Sequence, residues 1–354
     1  LDDSNDAPVI RLINAILSEA IKDGASDIHI EPYEENLSIR FRIDGILKEK
    51  LNPSSRIAPL LNARIKVMSN LDIAERRIPQ DGRMSLKLGE KWVDIRVSTL
   101  PSSFGERLVL RLLDKADASL DLEELGMTSE MTKDYLQQLK STSGIILVTG
   151  PTGSGKTTTL YSGLNFLNDQ TRNILTVEDP IEYALEGVGQ TQVNNKVGLS
   201  FSKGLRAILR QDPDVVMVGE IRDKETAETA IQASLTGHLV LSTIHTNDSV
   251  GAITRLIDMG VEPYLLASTL KMVIAQRLVR KLINKNEFSG RVGIFEMIKI
   301  DSDIRNFINE TIDEDKIRKI AFKKYNSLLN DGEEKVKKGI TSELEIKRVL
   351  KQVD

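Results

Sequence analysis

The densest chemical signal in the chain is Gly150-Pro151-Thr152-Gly153-Ser154-Gly155-Lys156-Thr157. An apolar run, residues 145–148, leads into it, and a helix-forming stretch from Thr158 past Leu164 leads out. A phosphate chain concentrates negative charge, so a site for it needs many donors in a small volume. Glycines let backbone N–H groups curl around such an anion, and a helix N-terminus adds a favourable dipole. In this pattern Lys156 brings a point charge to the β- and γ-phosphates, and the Thr157 hydroxyl can ligate magnesium. The expected ligands are ATP and Mg²⁺. The expected contacts are Gly150, Pro151, Thr152, Gly153, Ser154, Gly155, Lys156, Thr157 and Thr158.

Acidic residues close two further apolar runs. Val177 is followed by Glu178, Asp179 and Pro180, and residues 215–218 are followed by Gly219-Glu220-Ile221-Arg222-Asp223. A carboxylate at the C-terminal end of a strand beside a phosphate loop can hold a magnesium-bound water or orient the attacking water. Gly219 stands where most phosphate-loop proteins place the magnesium aspartate. The metal then falls to Thr157, water and the Glu178/Asp179 pair, and Glu220 is left to polarise the attacking water. Of three histidines, His238 and His245 flank one apolar strand and point to opposite faces, so they share no metal. His245, at that strand's C-terminal end, is the candidate γ-phosphate sensor or link to a neighbouring subunit. His29 reads as structural.

Hydrolysis also needs cations as charge shifts on the γ-phosphate, and a bidentate fork suits that need. Arg206, Arg210 and Arg222 lie near the relevant strands, while Arg40, Arg42, Arg96 and Arg111 decorate polar strand faces nearer the N-terminus.

The elements that must position these groups are readable from hydrophobic period. Val9, Leu12, Ile13, Ile16, Leu17, Ala20 and Ile21 recur at helical spacing, with Pro8 in the first turn and Gly24 as the stop. The period then becomes two: Leu37, Ile39, Phe41 and Ile43 alternate with polar residues, and Asp44-Gly45 turns the chain back. Val93, Ile95 and Val97 mark another strand, and residues 107–111 a last one. Residues 1–114 thus read as a small α+β domain and 115–143 as a linker with one short helix. Residues 144–283 carry continuous apolar strands at 145–148, 174–177, 215–218 and 239–244, the pattern of a parallel sheet covered on both faces. Residues 284–354, rich in Lys, Glu and Ile, read as a helical C-terminal region.

A length of 354 residues exceeds what one core supports, in line with several domains. Lys plus Arg is 48 against 52 for Asp plus Glu, a net charge of −4 that argues against wholesale wrapping of nucleic acid. The absence of cysteine excludes disulfides and thiolate metal sites. No apolar run approaches the roughly 18 residues of a membrane span, so direct membrane insertion is not expected. A first residue of Leu1 instead of Met points to a trimmed chain or a missing upstream domain.

Together these blocks resemble the secretion ATPase superfamily, which includes type II secretion motors and type IV pilus assembly and retraction ATPases. Ala25-Ser26-Asp27-Ile28-His29, the 39–45 strand and turn, and Pro79-Gln80-Asp81-Gly82-Arg83 are similar to that family's second N-terminal domain. Residues 150–157, 176–183, 211–223 and 235–248 are similar to its Walker A, aspartate, Walker B and histidine boxes, including the glycine–glutamate pair of its atypical Walker B. Residues 65–75 and 120–127 resemble the type II secretion branch more than the pilus branches.

The resemblance implies a PAS-like small domain before a RecA-like P-loop ATPase domain. It implies catalytic roles for Glu220, Glu178, Lys156, His245 and the first-domain arginines Arg96 and Arg111, and a nucleotide contact at Arg291. It further implies a hexameric ring, peripheral on the cytoplasmic face of the inner membrane and docked on cytoplasmic regions of secretion platform proteins. Pilus assembly or retraction is the nearest rival reading, a DNA-translocating ATPase a more distant one, and a non-hydrolysing nucleotide switch a third. One departure stands out. Type II secretion and pilus assembly motors usually carry a four-cysteine zinc insertion after a motif like Gln276-Arg277-Leu278-Val279-Arg280, but here residues 281–284 run almost directly into Phe288-Ser289-Gly290-Arg291. Natural loss, deletion or an omitted segment would each explain the join. No zinc is expected, and the family's first N-terminal domain is not represented.

Overall fold

A computed structural model describes residues 3–88, 91–113, 122, 124–284, 287–310 and 313–350. The chain divides into two compact units, residues 1–118 and 119–354.

In the first unit α1 (Asp3–Lys22) leads into β1 (Ala25–Pro32), β2 (Leu37–Ile43) and β3 (Ile46–Leu51), then α2 (Ala58–Met68), β4 (Gln80–Leu88), β5 (Lys91–Ser102) and β6 (Gly105–Leu113). The sheet is antiparallel in the order β3-β2-β1-β6-β5-β4. Asp44 and Gly45 both have positive φ, 50° and 83°, which is what a two-residue hairpin of matching twist requires. The apolar alternates Ile28, Ile30, Ile39, Phe41, Ile95, Val97, Leu108 and Leu110 are buried against Val9, Ile13, Ile16 and Leu17 of α1 and Leu61 and Ile65 of α2. Each such side chain contributes about 1.5–3 kcal/mol of burial, and that fixes which face turns to the helices. The opposite face is left to the polar alternates.

The second unit begins with α3 (Ser129–Leu139), β7 (Gly144–Thr149), α4 (Lys156–Leu167), β8 (Ile174–Glu178), β9 (Gly189–Gln192) and α5 (Phe201–Ile208). It continues through β10 (Val215–Val218), α6 (Lys224–Leu235), β11 (Leu239–Ile244), α7 (Ser249–Asp258), α8 (Pro263–Thr269), β12 (Leu270–Asn284) and β13 (Glu287–Lys299). Helices α9 (Ser302–Glu310), α10 (Glu314–Ala321), α11 (Leu328–Lys337) and α12 (Glu343–Leu350) complete it. Its sheet runs β13-β12-β7-β11-β10-β8-β9, parallel throughout except for the antiparallel β12–β13 pair. One apolar cluster fills the side under α5–α8 and a second the side under α3 and α4. The α/β reading with a preceding α+β unit therefore holds.

Three features differ from the sequence reading. Residues 284–354 are not helical from the start: β13 occupies Glu287–Lys299, and the 283/284 division cuts a hairpin that joins the main sheet. Polar residues at 276–277 and 280–281 and charged ones at 287–291 hide the strand period there. The sheet has seven strands where four were expected. Finally, α3 belongs to the second unit's core, because Met131, Tyr135 and Leu139 are buried in it. Residues 114–121 and 123 of the expected linker lie outside the described residues.

Asp134 fastens α3 to the C-terminal helices. It accepts from Lys299 Nζ (3.1 Å), Lys324 Nζ (2.7 Å) and Tyr325 Oη (2.5 Å). Burial alone would raise its pKa, but the Lys324, Tyr325 and Lys299 hydrogen bonds outweigh burial and hold it at about 2. A carboxyl depressed in the folded state stabilises above its unfolded pKa near 4 and loses that contribution as pH falls toward about 2. Asp134→Asn should therefore cost about 1–3 kcal/mol near neutral pH. It should also flatten the acid side of a Tm-against-pH curve between about pH 4 and 2. An unchanged acid limb would contradict this account of the staple.

Candidate active site

β7 is wholly buried and ends at Thr149, whose hydroxyl donates to the Ile244 carbonyl (2.8 Å) and accepts from the Thr246 N–H (3.0 Å). That residue pins the base of the loop 150–155 to the end of β11. The loop then turns through Gly150, Gly153 and Gly155 with φ of 147°, 77° and 87°. A side chain at Gly150 would meet the Gln276 carbonyl at 2.5 Å, so here the glycine is required by close approach as well as by φ. Lys156 opens α4 and folds its amine back into the loop, donating to the Gly150 (2.9 Å) and Pro151 (3.0 Å) carbonyls. Thr157 and Thr158 follow in the first helical turn.

Burial, helped by nearby Arg277 and opposed by Glu220, lowers the Lys156 pKa to about 8. The Ser154 hydroxyl is buried without a hydrogen-bond partner among the described residues. A glycine cradle at a helix N-terminus, a desolvated amine and an orphaned hydroxyl fit a phosphate chain. Phosphate charge beside the amine favours its protonated form. ADP binding near pH 8 is thus expected to take up about half a proton at Lys156, and that uptake should be lost by pH 6, where the amine is already charged. Calorimetry in two buffers of different ionisation enthalpy reads this, and equal proton uptake at both pH values would contradict it.

Glu220 sits at the exit of β10. Its carboxylate takes an ion pair from Arg222 Nη2 on one oxygen, and His245 Nε2 stands 3.5 Å from the other. The His245 pKa is lowered, by burial first and then by the Lys156 charge, while Glu220 pulls the other way. Lys156, Glu220 and Arg222 are therefore each within electrostatic reach of His245 at one end of the sheet. Flanking strands hold the turn: Gly219 N–H donates to Val177 O (2.8 Å), Ile221 N–H to Thr243 O (2.9 Å), and Thr243 Oγ1 to Gly219 O (2.6 Å). A Cβ at Gly219 would lie 3.2 Å from the Phe201 ring and 3.3 Å from Val177 O. That crowding is a physical reason for glycine where an aspartate usually stands.

Glu178 is placed differently from its sequence neighbours. It is 3% exposed, and both oxygens are engaged: Tyr161 Oη donates to Oε2, while Thr176 Oγ1 (2.5 Å) and Gln190 Nε2 (3.0 Å) donate to Oε1. Its carboxylate ties α4, β8 and β9 together. Burial, with Glu178 and Glu182 close by, pushes the Tyr183 hydroxyl up to about 12. Asp179 is exposed and electrostatically linked to Arg222. Arg206 pairs with Glu225 at 2.6 Å, and Arg210 donates to the Arg206 carbonyl at 2.8 Å.

Arg291 lies in β13 opposite Arg280, on the part of the hairpin that continues past the β7 end, beyond the Ala275–Thr149 pairing. In the first unit Arg96 and Arg111 are directly paired, within a cross-strand row Arg83, Arg96, Arg111, Asp27, Arg42 on the polar face. Arg111 Nε donates to Asp27 Oδ1 (2.9 Å), and Asp27 is the one carboxylate in that row. His29 is buried in β1 with Arg107 Nη2 3.3 Å from its Nδ1, and burial, then Arg42, lowers its pKa.

Gln276 and Arg277 were not expected at the site. Gln276 Nε2 donates to Ser154 O (2.6 Å), and Arg277 Nη2 donates to Asn247 O (2.7 Å). Two adjacent polar residues inside an otherwise apolar run are the sequence signal that could have found them.

Residues 2–351 match the family described as Type II/IV secretion system protein. The chain belongs to that family. It is 54% identical to Type II secretion system protein E of Pseudomonas aeruginosa and 53% identical to Type II secretion system ATPase E of Vibrio cholerae, in each case over 99% of this chain and 77% of the relative. Among solved structures, the pilus retraction motor PilT with bound ADP superposes with a TM-score of 0.69 at 30% identity, covering 95% of this chain and 96% of the other. The ATPase DotB of Legionella pneumophila gives 0.77 at 25% identity, covering 95% and 94%. The family and the fold agree with the resemblance read from the boxes. No helix among the described residues is long and apolar enough to cross a membrane.

Proposed function

We propose that the chain hydrolyses ATP as a motor subunit that powers pseudopilus assembly and protein export in type II secretion. The observation that carries this reading is the gathering of Lys156, Glu220 and His245 at one end of the sheet, beside a glycine cradle with a desolvated amine. Lys156 and the N–H groups of residues 153–158 hold the β- and γ-phosphates. Thr157 would be the protein's ligand to Mg²⁺, which would neutralise charge on the phosphate oxygens. Asp179, exposed at the end of β8, is available to a metal-bound water, whereas Glu178 supports α4 and β8 from the interior. Glu220 polarises the attacking water once Arg222 releases its oxygen, and His245 reports on the γ-phosphate.

Arg96 and Arg111 complete the site from another unit, and Arg291 contacts the nucleotide from the hairpin. Domains in this reading are the N-terminal α+β unit and the ATPase unit, which includes α3 and the C-terminal helices, and the connection between them is the candidate two-state element biased by nucleotide. The working form is a hexameric ring on the cytoplasmic face of the inner membrane, engaged with cytoplasmic regions of the platform proteins. ATPase rate with and without such a platform fragment tests this: stimulation supports it. No stimulation by the fragment, with stimulation by DNA, would move the chain to a DNA-translocating class.

A further inference from the structure

β12 carries two polar side chains where the rest of its buried run is apolar. Gln276 is 1% exposed and Arg277 3%. A buried guanidinium is costly unless its donors are matched and its charge is used. Gln276 explains itself by contact with the phosphate loop: Nε2 donates to Ser154 O, and Oε1 accepts from Thr159 Oγ1 of α4 at 2.7 Å. The loop rests directly on it, since side chains at Gly150 and Gly155 would strike the Gln276 backbone carbonyl and side-chain amide.

Arg277 donates to two main-chain carbonyls, Asn247 O at 2.7 Å and Gln276 O at 3.1 Å. Among the described residues no carboxylate lies within ion-pair distance of it. The two acids that feel it, Glu296 and Asp248, are already committed. Glu296 accepts from Ser249 N–H (3.0 Å) and Leu328 N–H (3.2 Å). Asp248 caps α7 through Gly251 N–H (2.6 Å) and pairs with Arg318 of α10 (2.9 Å). The Arg277 charge is nonetheless felt at Lys156, the phosphate-binding amine.

We propose that Arg277 is a positioning residue of the nucleotide site: it fixes the loop carrying His245 against the phosphate loop and lends its buried charge to the bound phosphates. A preorganised cation in a dry interior acts strongly on an anion nearby. The fork geometry is the second half of the role, because a lysine keeps the charge but cannot hold two carbonyls in one plane.

This inference rests on the ATPase reading, and the test separates the two. Affinity for ATP and ADP, steady-state kcat and Tm are measured for wild type, Arg277→Lys, Arg277→Gln and Lys156→Ala. Arg277→Lys should keep nucleotide affinity within about threefold while kcat falls at least tenfold. Arg277→Gln should lose about tenfold or more in affinity as well. A merely structural role would lower Tm in both and leave the affinity-against-kcat split absent. Equal nucleotide affinity in folded Lys and Gln variants, or wild-type kcat in Arg277→Lys, overturns the proposal. So does an Arg277→Lys chain that cannot fold, which would assign the guanidinium to the core. If Arg277→Gln alone fails to fold, the kcat of Arg277→Lys decides. Wild-type protein that binds no ATP, or Lys156→Ala that binds it normally, overturns the ATPase reading itself and the Arg277 role with it.

Discussion

Lys156→Ala is expected to abolish measurable ATP turnover and weaken ATP binding by about 10²-fold or more, the effect of losing a charge-assisted contact to a buried anion. The amine is the cation inside the loop, desolvated enough to hold its pKa near 8 and poised on two loop carbonyls that a phosphate would replace. Its removal leaves the glycine cradle and the α4 N-terminus but takes away the point charge between the β- and γ-phosphates. The fold should survive, because the same substitution removes a burial cost; Tm within a few degrees of wild type is the control. Normal nucleotide affinity in a folded Lys156→Ala protein would overturn the phosphate-loop assignment.

Glu220→Gln should leave ATP affinity within about threefold and lower kcat by about 10²–10⁴-fold, the usual worth of a positioned general base. The amide keeps the shape of the carboxylate, and the turn that carries it is fixed through its own main chain by Val177 and Thr243, without the Glu220 side chain. What is lost is the negative charge facing His245 and Arg222. Single-turnover kinetics separate this from a binding defect. Wild-type turnover in Glu220→Gln would move water activation to another carboxylate, and the companion substitution Glu178→Gln would then show whether the buried Tyr161–Glu178 contact is catalytic or structural.

Much of the candidate site is legible in the sequence because its chemistry is local. Residues 150–157 carry their own turn glycines, cation and hydroxyl, and the strand before and helix after them have clear periods. The same holds for Glu220 at the end of β10 and His245 at the end of β11. What could not be read were contacts between distant segments. Glu178 looked like one of a pair of acids at a strand end, yet Tyr161, 17 residues earlier, and Gln190, 12 later, turn its carboxylate inward. The β12–β13 hairpin was missed because Gln276 and Arg277 interrupt its apolar run and Arg280, Lys281, Asn284, Glu287 and Arg291 fill its outer end. Those interruptions are explained only when the phosphate loop and the loop after β11 are seen resting on them. In the first unit, alternation correctly sent Ile95, Val97, Leu108 and Leu110 inward and Arg96 and Arg111 to the polar face.

If Arg96 and Arg111 act on ATP as proposed, hydrolysis depends on assembly. The direct measurement mixes Arg96→Ala protein with Lys156→Ala protein and follows phosphate release against total concentration. Each variant alone should be depressed about 10³-fold or more, as for other arginine fingers. The mixture should regain activity, because some interfaces then pair an intact phosphate loop with an intact arginine. A mixture no more active than the sum of its parts, with wild-type turnover strictly proportional to concentration, would contradict the account.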